Sequence, residues 1–161
     1  MSQMKRKDFA HYFDTSTSGT STPDWTLEGI GVEALSLSYN PQIDTFKQII
    51  DDVASSTFDS YQIQSSVSGK RVDKDDPIWK WLNEARKKAE SIETKMLEVN
   101  MASATGSAST QYEALQYNVL IVINEFLGEN ATISYDVYVK GKPTIGTVAI
   151  SNQKPTFTPK G

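Results

Sequence analysis

Residues 114–127 constrain this chain more than any other stretch. Leu115, Tyr117, Val119, Ile121 and Ile123 recur at every second position, and Gln116, Asn118 and Asn124, with Leu120 and Val122, fill the alternate ones. A period of two puts one set of side chains on a single face of an extended segment, the signature of a long half-buried strand. Such a strand needs partners on both edges. The same alternation recurs in Ile133, Tyr135, Val137 and Val139, in Leu97, Val99 and Met101, in Tyr61, Ile63 and Val67, and in Leu35, Leu37 and Tyr39. Residues 43–50 form a further candidate after Pro41, and Lys140-Gly141-Lys142-Pro143 reads as the connection of a hairpin into residues 144–150.

One segment breaks the pattern. Ile78, Leu82, Ala85 and Ala89 fall at helical spacing, with Trp79 or Trp81 on the flank. Asp76 suits the N-cap and Pro77 the first helical position, and Arg86, Lys87 and Lys88 lie where the helix end is negative. The spacing predicts one helix over residues 77–89. The fold class expected is therefore mainly β (α+β): two packed antiparallel sheets, a sandwich or half-barrel, with one flanking helix.

At 161 residues the chain has the length of one domain of about 100–200 residues. With no cysteine it has no disulfide scaffold, thiol chemistry or cysteine-ligated metal. The longest apolar run, Val119 to Ile123, is far below the ~20 residues of a membrane span, and the basic N-terminus leads to no apolar stretch. A soluble, non-exported protein is expected. Three pieces are read: residues 1–24 as a flexible N-terminal arm with the hydroxyl-rich run 15–22, residues 25–150 as the folded domain, and residues 151–161 as an extended tail. Residues 102–110 read as a small-residue linker.

Candidate chemistry is thin. His11 is the sole histidine and reads as an exposed arm residue. Gly29-Ile30-Gly31 lacks the third glycine of a dinucleotide loop. Asp73, Asp75 and Asp76 begin like a calcium loop, but no glycine and glutamate follow at the required spacing, so capping is the better account. Asn130-Ala131-Thr132 matches a glycosylation acceptor that matters only on export. No catalytic, cofactor-binding or metal-ligating residue and no cofactor is assigned, and an enzyme is not expected.

Charge is segregated. The 20 acidic and 16 basic residues give a net charge of −4, yet no Lys or Arg lies between Asp8 and Phe46, nor between Met96 and Val139. A phosphate-gripping surface would need the reverse. The non-core strand positions carry Ser, Gln and Asn rather than Lys and Glu, which suits a sheet that meets another copy of itself.

The ordered set Lys5-Arg6-Lys7-Asp8-Phe9-Ala10-His11-Tyr12, then Trp25-Thr26-Leu27, Glu33 to Gln42, Asp59-Ser60-Tyr61-Gln62 and Asp76-Pro77-Ile78 resembles the major tail tube proteins of long-tailed phages of Gram-positive bacteria. Trp79 and Trp81 depart from that pattern. The resemblance implies a non-enzymatic virion subunit, assembled in the host cytoplasm. Its homohexameric rings would stack into a hollow tube around the tape-measure protein, with tail-tip and tail-terminator proteins at the ends. DNA would pass through the tube without specific binding. Under that reading residues 1–24, the loop around 51–57 and the tail after Ile150 would join ring to ring, and deleting residues 1–24 would leave a folded subunit unable to form long tubes. The tube of a contractile injection machine or phage-derived bacteriocin is the alternative. A carbohydrate- or peptide-binding sandwich is disfavoured because Trp79 and Trp81 fall on the helix.

Overall fold

The computed structural model describes residues 3–16, 22–32, 35–105, 111–127 and 130–160. A 3-10 turn, Arg6–Asp8, leads into β1 (Phe9–Asp14), β2 (Trp25–Leu27), β3 (Pro41–Phe46), β4 (Ser55–Tyr61) and β5 (Gln64–Arg71). The helix α1 (Pro77–Lys88) follows, then β6 (Ile92–Thr105), β7 (Gln111–Phe126), β8 (Thr132–Ser151) and β9 (Lys154–Pro159). Seven strands form one antiparallel sheet in the order β2-β1-β6-β7-β8-β5, with β9 also on β8; β3 and β4 form a second sheet by themselves. The mainly β expectation with a single helix holds among the described residues.

The long strands organise the large sheet. β8 pairs with β7 along almost its whole length, while its other edge is shared end to end by β5 and β9. Lys154 on β9 reaches Asp24 Oδ1 at 2.9 Å and the Trp25 carbonyl at 3.3 Å, so the β9 and β2 ends of the sheet curl toward one another into a nearly closed barrel. Curling removes exposed edges.

Two apolar clusters lie on opposite faces of this sheet. Phe13, Met96, Tyr117, Val119, Ile121, Ile133, Tyr135 and Val137 pack under Ile78 and Leu82 of α1 and against Leu35. Tyr12, Trp25, Leu97, Val99, Ala114 and Val148 form the second cluster, inside the curl. Neighbours Tyr12 and Phe13 thus point opposite ways and are both buried. The helix begins where its cap dictates: the Asp76 carboxylate accepts the Ile78 N–H at 3.0 Å, and Ala89 closes the helix in the left-handed region at φ 54°.

Several expectations are corrected. The first 24 residues are no loose arm, because β1 lies inside the sheet between β2 and β6. Its Tyr12 and Phe13 provide core material on opposite faces, which erases the alternation that would mark a half-buried strand. Deleting residues 1–24 would strip the core rather than yield a folded subunit. Residues 15–22 fall partly outside the described residues, as do 102–110; β6 nevertheless runs on to Thr105, so residues 102–105 are strand and not linker. The C-terminal tail does not extend away: β9 pairs with β8 from Ser151↔Lys154 to Gly146↔Pro159. Its prolines are tolerated because β9 is a border strand.

The hairpin read at residues 140–143 is instead a bulge within one strand. Gly141 at φ 74° absorbs the extra residues, and both halves of β8 stay paired with β7, at Asn118↔Lys140 and Gln116↔Thr144. Residues 35–39 make no regular strand, only the single bridge Ser38↔Gln64. Pro41 begins β3 rather than interrupting a strand.

Candidate assembly surfaces

Among the described residues, the most exposed large apolar side chains lie on the hairpin β3–β4. Its register runs from Pro41↔Tyr61 to Phe46↔Ser55, with a bulge beside Gln42. Its stem is fixed. Ser38 and Gln64 exchange backbone bonds of 2.8 and 2.9 Å, the Val139 N–H donates to the Ile63 carbonyl at 3.0 Å, and Tyr61 packs against Tyr39 and Phe58. Beyond the stem, neither strand pairs with the large sheet. The outer half carries Phe46 at 67 %, Ile49 at 104 %, Ile50 at 86 % and Val53 at 79 % exposure. Ile43 and Phe58, opposite one another in the register, are also exposed. Lys47 sits among them as the sole cation between Asp8 and Gly69.

An open groove of about 630 Å³ crosses the large sheet, walled by Phe9, Glu98, Glu113, Leu115, Ile145 and Lys160. His11 lies beside it. Contrary to the expectation of an exposed arm histidine, it is 5 % exposed on β1, with Nε2 3.5 Å from Glu98 Oε2. Elsewhere the neutral polar positions do face outward: Gln64, Ser66 and Ser68 of β5, and Asn118 and Asn124 of β7, are exposed. The Asp136 carboxyl is held below its usual range by a hydrogen bond from Asn124, against some desolvation, with further bonds from Ser66 and Tyr138. Lys140 and Glu93, paired at 2.7 Å, border this face and are both well exposed.

Beneath α1 lies a cluster that sequence reading missed. Lys70 Nζ is 2.6 Å from Glu28 Oε1 and 2.7 Å from Asp76 Oδ2, and it donates to the Ile30 carbonyl at 2.6 Å. The Tyr135 hydroxyl donates to Glu28 Oε2 at 2.5 Å. Lys70 and Tyr135 are 0 % exposed, Asp76 1 % and Glu28 5 %. Burial pushes the Glu28 carboxyl up, opposed by the charge and hydrogen bond of Lys70 and by the hydrogen bond of Tyr135. Burial, then the Glu28 charge, raises the Tyr135 phenol well above its ordinary value, which keeps it a donor. The strand alternation showed Tyr135 facing inward, but nothing in the spacing pairs Glu28 with a lysine 42 residues on.

The sequence-flagged motifs find structural places around it. Asp76 caps α1, and Asp73 Oδ1 accepts the Asp75 N–H at 2.8 Å. Gly31, at φ 76°, lies so close to β5 that a Cβ would meet the Arg71 carbonyl at 2.5 Å, and its own carbonyl accepts the Arg71 N–H. The Gly29-Ile30-Gly31 segment therefore docks backbone against backbone. Asn130 and Ala131 form the positive-φ turn before β8. Among the described residues no group of three or more His, Cys, Asp or Glu could hold a metal ion, and no helix is long and apolar enough to cross a membrane.

No family model and no curated protein matches the sequence. Among solved structures, the chain is similar to one from the cryo-EM structure of the anti-feeding prophage (AFP) baseplate, 6-fold symmetrised, with a TM-score of 0.49 and 10 % identity over 94 % of this chain and 99 % of that one.

Proposed function

We propose that this chain is a structural subunit of a phage tail tube. Copies join in hexameric rings, and the rings stack into a hollow tube that houses the tape-measure protein and conducts the genome on ejection. The single observation that carries this reading is the hairpin β3–β4, whose apolar outer half stands clear of the subunit's own sheet. Burying an Ile, Val or Phe side chain contributes about 1.5–3 kcal/mol, so leaving four of them in water is costly unless a partner covers them. The partner is a second copy of the chain. Both outer backbone edges of the two-stranded sheet are open to pairing, and repetition of one contact around a ring closes those edges.

The neutral polar outer face supports the same role. Gln64, Ser66, Asn118 and Asn124 offer a neighbouring copy hydrogen-bonding groups, with Lys95 and Lys140 flanking Asn118 in the register. A tube of a contractile injection machine would use the same surfaces. Sedimentation velocity over a rising concentration series tests self-association. Large species that grow with concentration support the reading, and a uniform monomer throughout counts against it.

A further inference from the structure

The Glu28–Lys70–Asp76 cluster holds an amine against a carboxyl group in the buried interior, with Tyr135 beside them. We propose that Lys70 and Asp76 form a spontaneous intramolecular amide bond between Nζ and Cγ, with Glu28 as its proton shuttle. Three features of the geometry meet the demands of that reaction.

The amine touches the carboxyl group it would attack. Lys70 Nζ lies 2.7 Å from Asp76 Oδ2, and both side chains are out of water. This contact is off the direction of a hydrogen bond, and Oδ2 accepts no other among the described residues. Intramolecular reactions of well-oriented groups reach effective molarities of roughly 10⁵–10⁸ M.

The charges are poorly tolerated where they stand. Glu28 and Asp76 set two buried carboxyl groups against the single Lys70 amine. An uncharged amide costs less to keep in the interior than the separate ions it would replace.

The oxygens of Asp76 are already sorted. Oδ1 accepts the Ile78 N–H at 3.0 Å at the helix N-terminus, which would stabilise negative charge growing on that atom. Oδ2 is left to depart.

The steps balance. The Lys70 ammonium passes one proton to Asp76 Oδ2. The neutral Nζ attacks Cγ, the carbonyl electron pair moves onto Oδ1, and Nζ gives a second proton to Glu28 Oε1, 2.6 Å away. Glu28 returns that proton to Oδ2, which leaves as water while the Oδ1 pair re-forms the carbonyl. The three ammonium hydrogens end as one amide N–H and one water, and Glu28 is again a carboxylate. Oδ1 continues to cap the helix. Tyr135, donating to Glu28 Oε2, fixes the shuttle's orientation. The product welds the end of β5 to the start of α1 in a chain that has no cysteine.

Intact-mass spectrometry of the denatured full-length protein, with peptide mapping, tests this. The wild-type chain is expected to be lighter than its composition by one water, with a branched peptide joining Lys70 to Asp76. Lys70→Arg keeps the positive charge but cannot form the bond, and should run at its full calculated mass. Glu28→Gln keeps the shape and should slow the loss about a hundredfold or more. A wild-type chain at full mass overturns the proposal, as does a water lost equally from Lys70→Arg or mapped to a ring-closed aspartate. Conversion of Glu28→Gln at the wild-type rate overturns the role given to Glu28.

Discussion

Trp79 of α1 stacks on Phe126 at the end of β7, with ring centroids 5.4 Å apart and planes inclined by 15°. Arg86, two turns further along the helix, places its guanidinium 4.0 Å from the centre of the same ring. Phe126 is therefore the anchor for the exposed side of the helix. Phe126→Ala removes both contacts and should cost about 2 kcal/mol in urea unfolding, less than a fully buried aromatic because the ring is half-exposed. The double variant with Trp79→Ala should cost clearly less than the sum of the two single changes.

Phe13 carries a larger share. It is 0 % exposed and touches Trp81 at 5.9 Å and Tyr135 at 6.4 Å between ring centroids. Phe13→Ala should destabilise the subunit by about 3–5 kcal/mol, read from the denaturation midpoint. Circular dichroism of a chain lacking residues 1–24 should show loss of the native fold, because β1 leaves with it. A native spectrum from that deletion would contradict the placement of β1 inside the sheet.

Tyr135→Phe removes one hydroxyl and leaves Glu28 Oε2 without its donor. The expected loss is about 1–3 kcal/mol by the same measurement, since a buried acceptor keeps its full desolvation cost.

Acid dependence has two opposing parts. Asp136 is depressed in the folded state, so the stability it contributes is present above the ordinary carboxylate range and is lost as pH falls through the folded value. Glu28 is raised, so the folded state takes up its proton first and this group favours folding increasingly as pH falls from neutrality toward its ordinary value. Urea midpoints of Asp136→Asn measured from about pH 5 to about pH 3 should fall less steeply than those of the wild type. Identical acid limbs would exclude Asp136 from the acid response.

The sequence was most readable where one face is wet and the other dry. Leu115 through Ile123 and Ile133 through Val139 face the core in the parity their alternation indicates, and Asp76, Pro77 and Ala89 bracket the helix. It was least readable where that contrast vanishes. β1 is packed on both faces, by Tyr12 on one and Phe13 on the other, so it shows no contrast between a wet and a dry face. β9 holds two prolines, which local propensity reads as a stop although a border strand accepts them. Gly141 looked like a turn because its positive φ serves turns and bulges alike. The Glu28–Lys70 pair joins residues far apart in sequence, and no local pattern encodes such a contact. The exposed hairpin is half visible: the resemblance marks residues 51–57 as a contact loop, but residues 43–50 read only as a strand candidate, with nothing to say that Phe46, Ile49 and Ile50 face solvent.

Negative-stain electron microscopy tests the assembly account most directly. The purified, untagged wild-type protein and an Ile49→Asp/Ile50→Asp variant would be imaged side by side, concentrated at near-neutral pH. The account predicts six-fold rings or hollow striated tubes from the wild type, and single subunits with an unchanged circular dichroism spectrum from the variant. Tubes from the variant as long as those of the wild type would contradict it, as would a field of single wild-type subunits.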